Sequence, residues 1–274
     1  MRVDRTMIGQ ESYAEAFRQR YGQDPSTELE SVAPFLRHRS VRRYADQPIN
    51  RSLIEGLVAA AQSASTSSNL QLWSIVSVQD PDNRKRILPL AANQTQVATA
   101  PWFFVFLADT HRLAHAAESA GFDPANLDLA EFYTMAVVDA ALAAERMVVT
   151  AEHHGIGACY IGAMRDNPAG VTEALNLPEG VFALFGLCLG YPLEGRVGKI
   201  KPKLAQSEVW FEETYPESID LSEYDARAAA FNLDQKIQGP PAWSTKSGER
   251  LNTERIGARA DQLEWLQSIG LIRR

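Results

Sequence analysis

Two apolar runs without alternation, residues 102–108 and 181–189, predict strands buried on both faces. Around them lie stretches of helical periodicity, the longest over 127–153. Strands interleaved with helices in this way define a layered domain of the α/β or α+β class.

Each element follows from local chemistry. Residues 1–30 are polar and mixed in charge, with a weak helical pattern around Tyr13, Phe17 and Tyr21 that stops at Asp24-Pro25-Ser26-Thr27. They read as an extension ahead of the main domain, and their start has no apolar run of the kind a leader needs. A helix is expected over 29–37. Another is expected over 51–63, with Asn50 as its cap and Leu53, Ile54, Leu57 and Val58 on one face. Residues 73–79 alternate and meet Asp80-Pro81-Asp82, so a strand gives way to a helix that closes near Pro89. Pro101 introduces the first buried strand. The helix over 127–153 is rich in alanine, with Met135, Val138, Leu142 and Met147 near one stripe, and so apolar a helix belongs at a domain centre or in a dimer interface. Gly155 stops it, and Gly157 leads into a short buried strand over 158–161. A helix capped at Asn167 runs to Leu175, and the second apolar strand follows. Beyond Pro192 the sequence is polar and irregular, broken at Gly239-Pro240-Pro241 before a final amphipathic helix over 253–269.

The net charge is −7 and the pI is near 5.3, without the repeated basic face that nucleic acid demands. No stretch approaches the roughly 18 apolar residues of a membrane span. Cys159 and Cys188 lie inside apolar runs and are too few for a disulfide framework or a zinc site, so buried, inert thiols are expected. A cytoplasmic protein is expected from this profile. Against the acidic background, Arg37-His38-Arg39-Ser40-Val41-Arg42-Arg43 forms a cationic island suited to a small anionic ligand such as a phosphate-bearing cofactor.

The chain has no G-x-x-x-x-G-K-[ST] loop, no G-x-G-x-x-G between strand and helix, no G-x-S-x-G elbow and no H-E-x-x-H. His111 and His115 read as surface residues, and His153-His154 as partners of a helix C-terminus. Three segments carry more. The run from Ser63 to Gln71 offers small hydroxyl side chains between a helix and a strand, able to meet a polyhydroxylated chain. Gly162-Ala163 at the end of a strand lets backbone N–H groups approach a ligand closely. Lys199-Ile200-Lys201-Pro202-Lys203 is a second cationic group.

Together with Gln94, Leu177-Pro178, the run from Phe185 to Pro192 and Leu204, these segments keep the order of a known family over about residues 30–215. The chain resembles the nitroreductase family, and within it the branch of oxygen-insensitive NADPH nitroreductases and FMN-dependent flavin reductases. The resemblance implies an α+β, three-layer fold with a mainly antiparallel central sheet, in a domain-entwined homodimer. It divides the chain into the extension 1–30, an FMN-binding core 31–215 and a C-terminal helical extension 216–274. It implies that His38, Arg39, Ser40 and Arg42 contact the phosphate, ribityl chain and pyrimidine edge of FMN. Thr66, Ser67, Ser68 and Gln94 become ribityl and ring contacts, Tyr160, Ile161, Gly162 and Ala163 lie along the ring, and Lys201 and Lys203 hold the phosphate. No side-chain acid is implied, because the flavin does the chemistry while Arg42 tunes its reduced form.

The implied activity is FMN-dependent NAD(P)H oxidoreduction by ping-pong hydride transfer to a small-molecule acceptor: a nitroaromatic, a quinone or free flavin. Neither nucleic acid nor membrane is a partner. Dehalogenation or metabolite tailoring on the same fold, and a flavin-binding redox sensor without turnover, are the alternatives. Three departures stand out: Ala163 replaces a glycine, Lys203 replaces an arginine, and the stretch 234–242 before Trp243-Ser244 keeps only Lys236 of the basic loop that reads the 2′-phosphate of NADPH. A weak or reversed preference for NADPH over NADH is therefore expected.

Overall fold

The computed structural model describes residues 9–273. The first eight residues of the N-terminal extension, and with them the reading of the chain's start as free of a leader, lie outside the described residues. In chain order the elements are α1 (Tyr13–Tyr21), α2 (Ala33–Leu36), α3 (Arg51–Gln62), β1 (Trp73–Ser77), α4 (Pro81–Leu90), α5 (Thr95–Thr99), β2 (Trp102–Asp109), α6 (His111–Ser119), α7 (Ala130–His153), β3 (Gly157–Ile161), α8 (Pro168–Leu175), β4 (Val181–Gly190), α9 (Ser222–Asp234), α10 (Trp243–Arg250), α11 (Thr253–Ile256) and α12 (Gln262–Ser268). They form two compact units. Among the described residues, one comprises 9–39 and 197–256, the other 40–196 and 257–273.

The second unit holds the sheet, ordered β1-β2-β4-β3 with each neighbouring pair antiparallel. Side chains alternate across each strand, so the sheet divides its apolar residues between two cores. Phe104, Phe106, Leu187 and Leu189 face α3 and α7, where Leu57, Ala140, Ala144 and Met147 are buried. Phe103, Val105, Cys159 and Cys188 face the other way, onto Ile87, Ala91, Val97 and Val171 of the segments around α4, α5 and α8. The result is the three-layer, α+β arrangement expected. Both cysteines are buried free thiols, and burial raises the pKa of each.

In the other unit, α1 begins with a Ser12–Glu15 capping box, ends at Gly22 in the left-handed region, and packs Tyr13 and Phe17 against Ala33.

Several expected elements differ. The helix over 29–37 is a 3-10 turn (Glu30–Val32) followed by the single turn of α2, because Pro34 at its start has no N–H to continue an earlier helix. Asn50 stands at the start of α3, but its side chain makes no capping bond. The long helix begins at Ala130, after a 3-10 turn (Ala125–Asp128) and an extended Leu129. The final helix is interrupted at Gly257, whose φ of +54° breaks it into α11, a 3-10 turn (Gly257–Asp261) and α12. The polar stretch beyond Pro192 contains α9 and α10, whose exposed faces dilute the apolar periodicity.

The serine-rich loop between α3 and β1 is fixed by one buried acid. Ser68, Asn69 and Gln71 all have positive φ, an irregular path with no ladder to satisfy it. Asp139, fully buried on α7, accepts the Ser67 N–H at 2.8 Å and the Leu72 N–H at 3.1 Å, one on each carboxylate oxygen. Replacing Asp139 with alanine strands both donors at about 1–3 kcal/mol each. Chemical denaturation of Asp139→Ala is expected to show a loss of about 2–6 kcal/mol, and hydrogen exchange to show faster opening at Ser67 and Leu72 than in β2 or β4. Unchanged protection at those two amides would refute the assignment.

Candidate functional site

In the unit that contains α1, two cationic runs distant in sequence share one anchor. The guanidinium of Arg20 donates to the carbonyls of His38 at 2.5 Å and Lys201 at 2.9 Å, as well as to Leu36 at 2.9 Å. The Lys203 N–H returns to the Arg20 carbonyl at 2.9 Å. Lys201 and Lys203 are exposed residues on either side of buried Pro202, carried on a pinned backbone. Lys199 instead pairs with Asp234 at 2.9 Å, and that ammonium, then the Gln235 amide, holds the Asp234 carboxyl below the usual carboxylate range. Arg39 is built into its loop. It is buried, donates to the carbonyls of Gly198 at 2.9 Å and Arg37 at 2.8 Å, and pairs with the Glu11 carboxylate. His38 is half-buried beside it.

In the sheet unit, Ser40 bridges Ala158 of β3, and the Val41 N–H donates to the Ala158 carbonyl at 2.8 Å. A Cβ on Gly157 would lie 2.4 Å from Val41, so glycine is what allows this approach. Val41 is buried, while Ser40 and Arg42 on either side of it are exposed. Along the same strand Tyr160 donates to Glu145 at 3.1 Å and meets Phe185 edge-on, with ring centroids 5.4 Å apart. Partial desolvation, then the Glu145 carboxylate, raises the Tyr160 pKa and keeps the phenol protonated. Ile161 and Ala163 are buried and Gly162 is partly exposed, at the start of a 3-10 turn (Gly162–Arg165).

Two arginines hold that turn. Arg165 donates to the Leu184 carbonyl, and Arg259 donates to the Gly162 carbonyl at 3.2 Å and to the Asp166 carboxylate at 2.5 Å. Gln94, at the start of α5, accepts from Gln96 at 2.8 Å, and buried Gln96 in turn lies 3.9 Å from the Cys159 thiol. Thr66 is extended, and Ser67 and Ser68 follow it on the loop that Asp139 fixes.

The residues that sequence reasoning missed are buried Arg20 and Asp139 and partly buried Glu11 and Arg259. Only Asp139 carried a visible signal, an acid in the middle of an alanine-rich apolar helix.

Comparison with known proteins identifies the family. A model of the nitroreductase family matches residues 36–191, and a model of the family's C-terminal domain matches 201–274. An FMN reductase (NADPH) of Bacillus subtilis is 38% identical over 236 residues, 85% of this chain and 89% of the relative. An oxygen-insensitive NADPH nitroreductase of Salmonella typhimurium is 39% identical over 199 residues, 72% of this chain and 80% of the relative. Among solved structures, the NfrA1 nitroreductase of B. subtilis superposes with a TM-score of 0.81 at 33% identity, covering 89% of this chain and 100% of that one. The NADPH:FMN oxidoreductase of Vibrio harveyi complexed with NAD+ does so with a TM-score of 0.78 at 31% identity, covering 89% and 99%. With models matched over most of its length and relatives well above the twilight of similarity, the chain belongs to the nitroreductase family.

Proposed function

We propose that this protein is an FMN-dependent NAD(P)H oxidoreductase that reduces nitroaromatics, quinones or free flavin. The observation that carries the reading is the convergence of the His38 and Lys201 carbonyls on one guanidinium, which brings two cationic runs to one place. A phosphate dianion taken from water needs several charge-assisted partners, and His38, Lys201 and Lys203 supply that chemistry while Arg39 braces the loop that carries His38. The donor set therefore fits FMN.

Arg42 and Ser40 are the exposed polar groups beside β3, and we assign them to the pyrimidine edge and ribityl chain. Thr66, Ser67, Ser68 and Gln94 supply further donors and acceptors, and the strand and turn from Tyr160 to Ala163 supply a flat apolar wall with backbone N–H groups. When bound, FMN provides the centre that takes a hydride from the nicotinamide and passes electrons to the acceptor. The protein's part is to hold and orient. The fixed charge of Arg42 favours negative charge nearby, and Gln96 and Asp139 hold Gln94 and the serine loop in one conformation before any ligand arrives.

We further propose a homodimer formed through α7, where Val138 is 45% and Leu142 47% exposed, four residues apart and so on one face. A second copy of this face would cover that stripe. We place the protein in the cytoplasm, where NAD(P)H is supplied.

Three outcomes test these statements. Purified protein is expected to be yellow and to bleach anaerobically with NAD(P)H, whereas a Lys201→Ala, Lys203→Ala double variant is isolated largely without flavin, since each lost contact is worth about 1.5–3 kcal/mol. Full occupancy in that variant would place the phosphate elsewhere. For the donor, the single cation Lys236 in the stretch 234–242 gives an expected NADPH:NADH ratio of kcat/KM below about a hundredfold, roughly 2.7 kcal/mol; a larger ratio would mean that other cations read the 2′-phosphate. Sedimentation equilibrium is expected to give twice the chain mass, falling toward one chain in Val138→Asp, Leu142→Asp, and a wild-type monomer that keeps its flavin would exclude the dimer.

A further inference from the structure

Helix α1 precedes every residue that the family models match, which begin at 36. It is nevertheless wired into both cationic runs. Arg20, 5% exposed on the buried face of α1, sends its guanidinium to three backbone carbonyls: Leu36 just ahead of one run, His38 within it, and Lys201 on the other. Its own carbonyl takes the Lys203 N–H. Just ahead of the helix, the Glu11 carbonyl accepts from Arg37 Nε at 2.5 Å, and the Glu11 carboxylate pairs with Arg39, whose Nε holds the Gly198 carbonyl. The segment from Glu11 to Arg20 thus touches the backbone or the charge of both runs.

We propose that Arg20 is a positioning residue of the phosphate site: by clamping the His38 and Lys201 carbonyls it fixes the separation of the two runs and so sets the affinity for the phosphate of FMN. The proposal rests on the reading that these runs hold the phosphate. The geometry explains why arginine is needed. Its planar fork presents five donors in fixed directions, whereas a lysine ammonium is a single point that cannot span three carbonyls on two chain segments. Lys201 lies 181 residues along the chain from Arg20, and the two runs are distant in sequence and carry like charges, so without a clamp both chain entropy and repulsion separate them. Arg20 makes its three side-chain carbonyl bonds to main chain, so its loss moves the cations without removing any of them.

The experiment compares two ligands that differ only in the phosphate. Full-length Arg20→Lys and Arg20→Gln are stripped of flavin and titrated with FMN and with riboflavin by flavin fluorescence, alongside Lys201→Ala and the Arg20→Gln, Lys201→Ala double variant. Both Arg20 variants are expected to weaken FMN by roughly tenfold or more while leaving riboflavin within about twofold, and the Arg20→Gln loss is expected to shrink in the Lys201→Ala background. Arg20→Lys keeps the charge and a reach to one carbonyl, so it remains informative if Arg20→Gln fails to fold. Equal losses for FMN and riboflavin would reduce Arg20 to general stability and overturn the proposal. Parent-like FMN affinity in Arg20→Lys would do the same, by assigning the effect to charge. Unchanged FMN affinity in both Arg20 variants, with Lys201→Ala weakened, would overturn the clamp and leave the phosphate site standing. Unchanged affinity in Lys201→Ala would remove the site and the clamp together.

Discussion

The pairing of β2 with β4 is the constraint from which the sheet unit follows. Both strands are apolar on both faces, so neither face can be left to water, and helices must cover the sheet on both sides. Their register, from Trp102 opposite Leu189 to Asp109 opposite Val181, sends Phe104 and Phe106 to one core and Phe103 and Val105 to the other. Chemistry is thereby pushed to the margins. Within this unit, the polar groups assigned to the cofactor sit on the edge beside β3, on the turn that ends it, and on loops that enter β1 and β2.

Loops at such margins leave backbone groups without a ladder, and this chain satisfies them with charged side chains. Arg84, buried beneath the end of β1, donates to the carbonyls of Val78 and Val97 at 2.8 Å and Ala100 at 3.0 Å while lying over the Phe103 ring. Burial lowers its pKa without discharging so strong a base. Arg20 collects three carbonyls in the same manner, Asp139 collects two N–H groups, and Arg259 holds the turn at Gly162. These side chains do no chemistry themselves. They convert irregular backbone into fixed backbone, which is what a site built from loops requires.

This division of labour also explains what the sequence made legible. Continuous apolar runs announce buried strands, so β2 and β4 were readable within a residue or two, and glycines with positive φ, such as Gly155, announced helix ends. The cationic runs and the serine loop were readable because their side chains face outward and their composition is unusual. Arg20 and Arg259 were not, since an arginine bound to carbonyls looks in sequence like any surface arginine, and its partners lie far along the chain. The same holds for α9 and α10: too few of their residues are buried to impose a period.

Both units are discontinuous in sequence, and that has a consequence for synthesis on the ribosome. Arg20 emerges early, but one of the carbonyls it must bind belongs to a residue 181 positions later. At about 5–20 residues per second, roughly ten to forty seconds pass with that guanidinium hydrated before its partner exists. The sheet unit is likewise incomplete until residues 257–273 have left the exit tunnel. Neither unit can therefore close on its first segment alone, and each waits for a segment synthesised more than a hundred residues after it began.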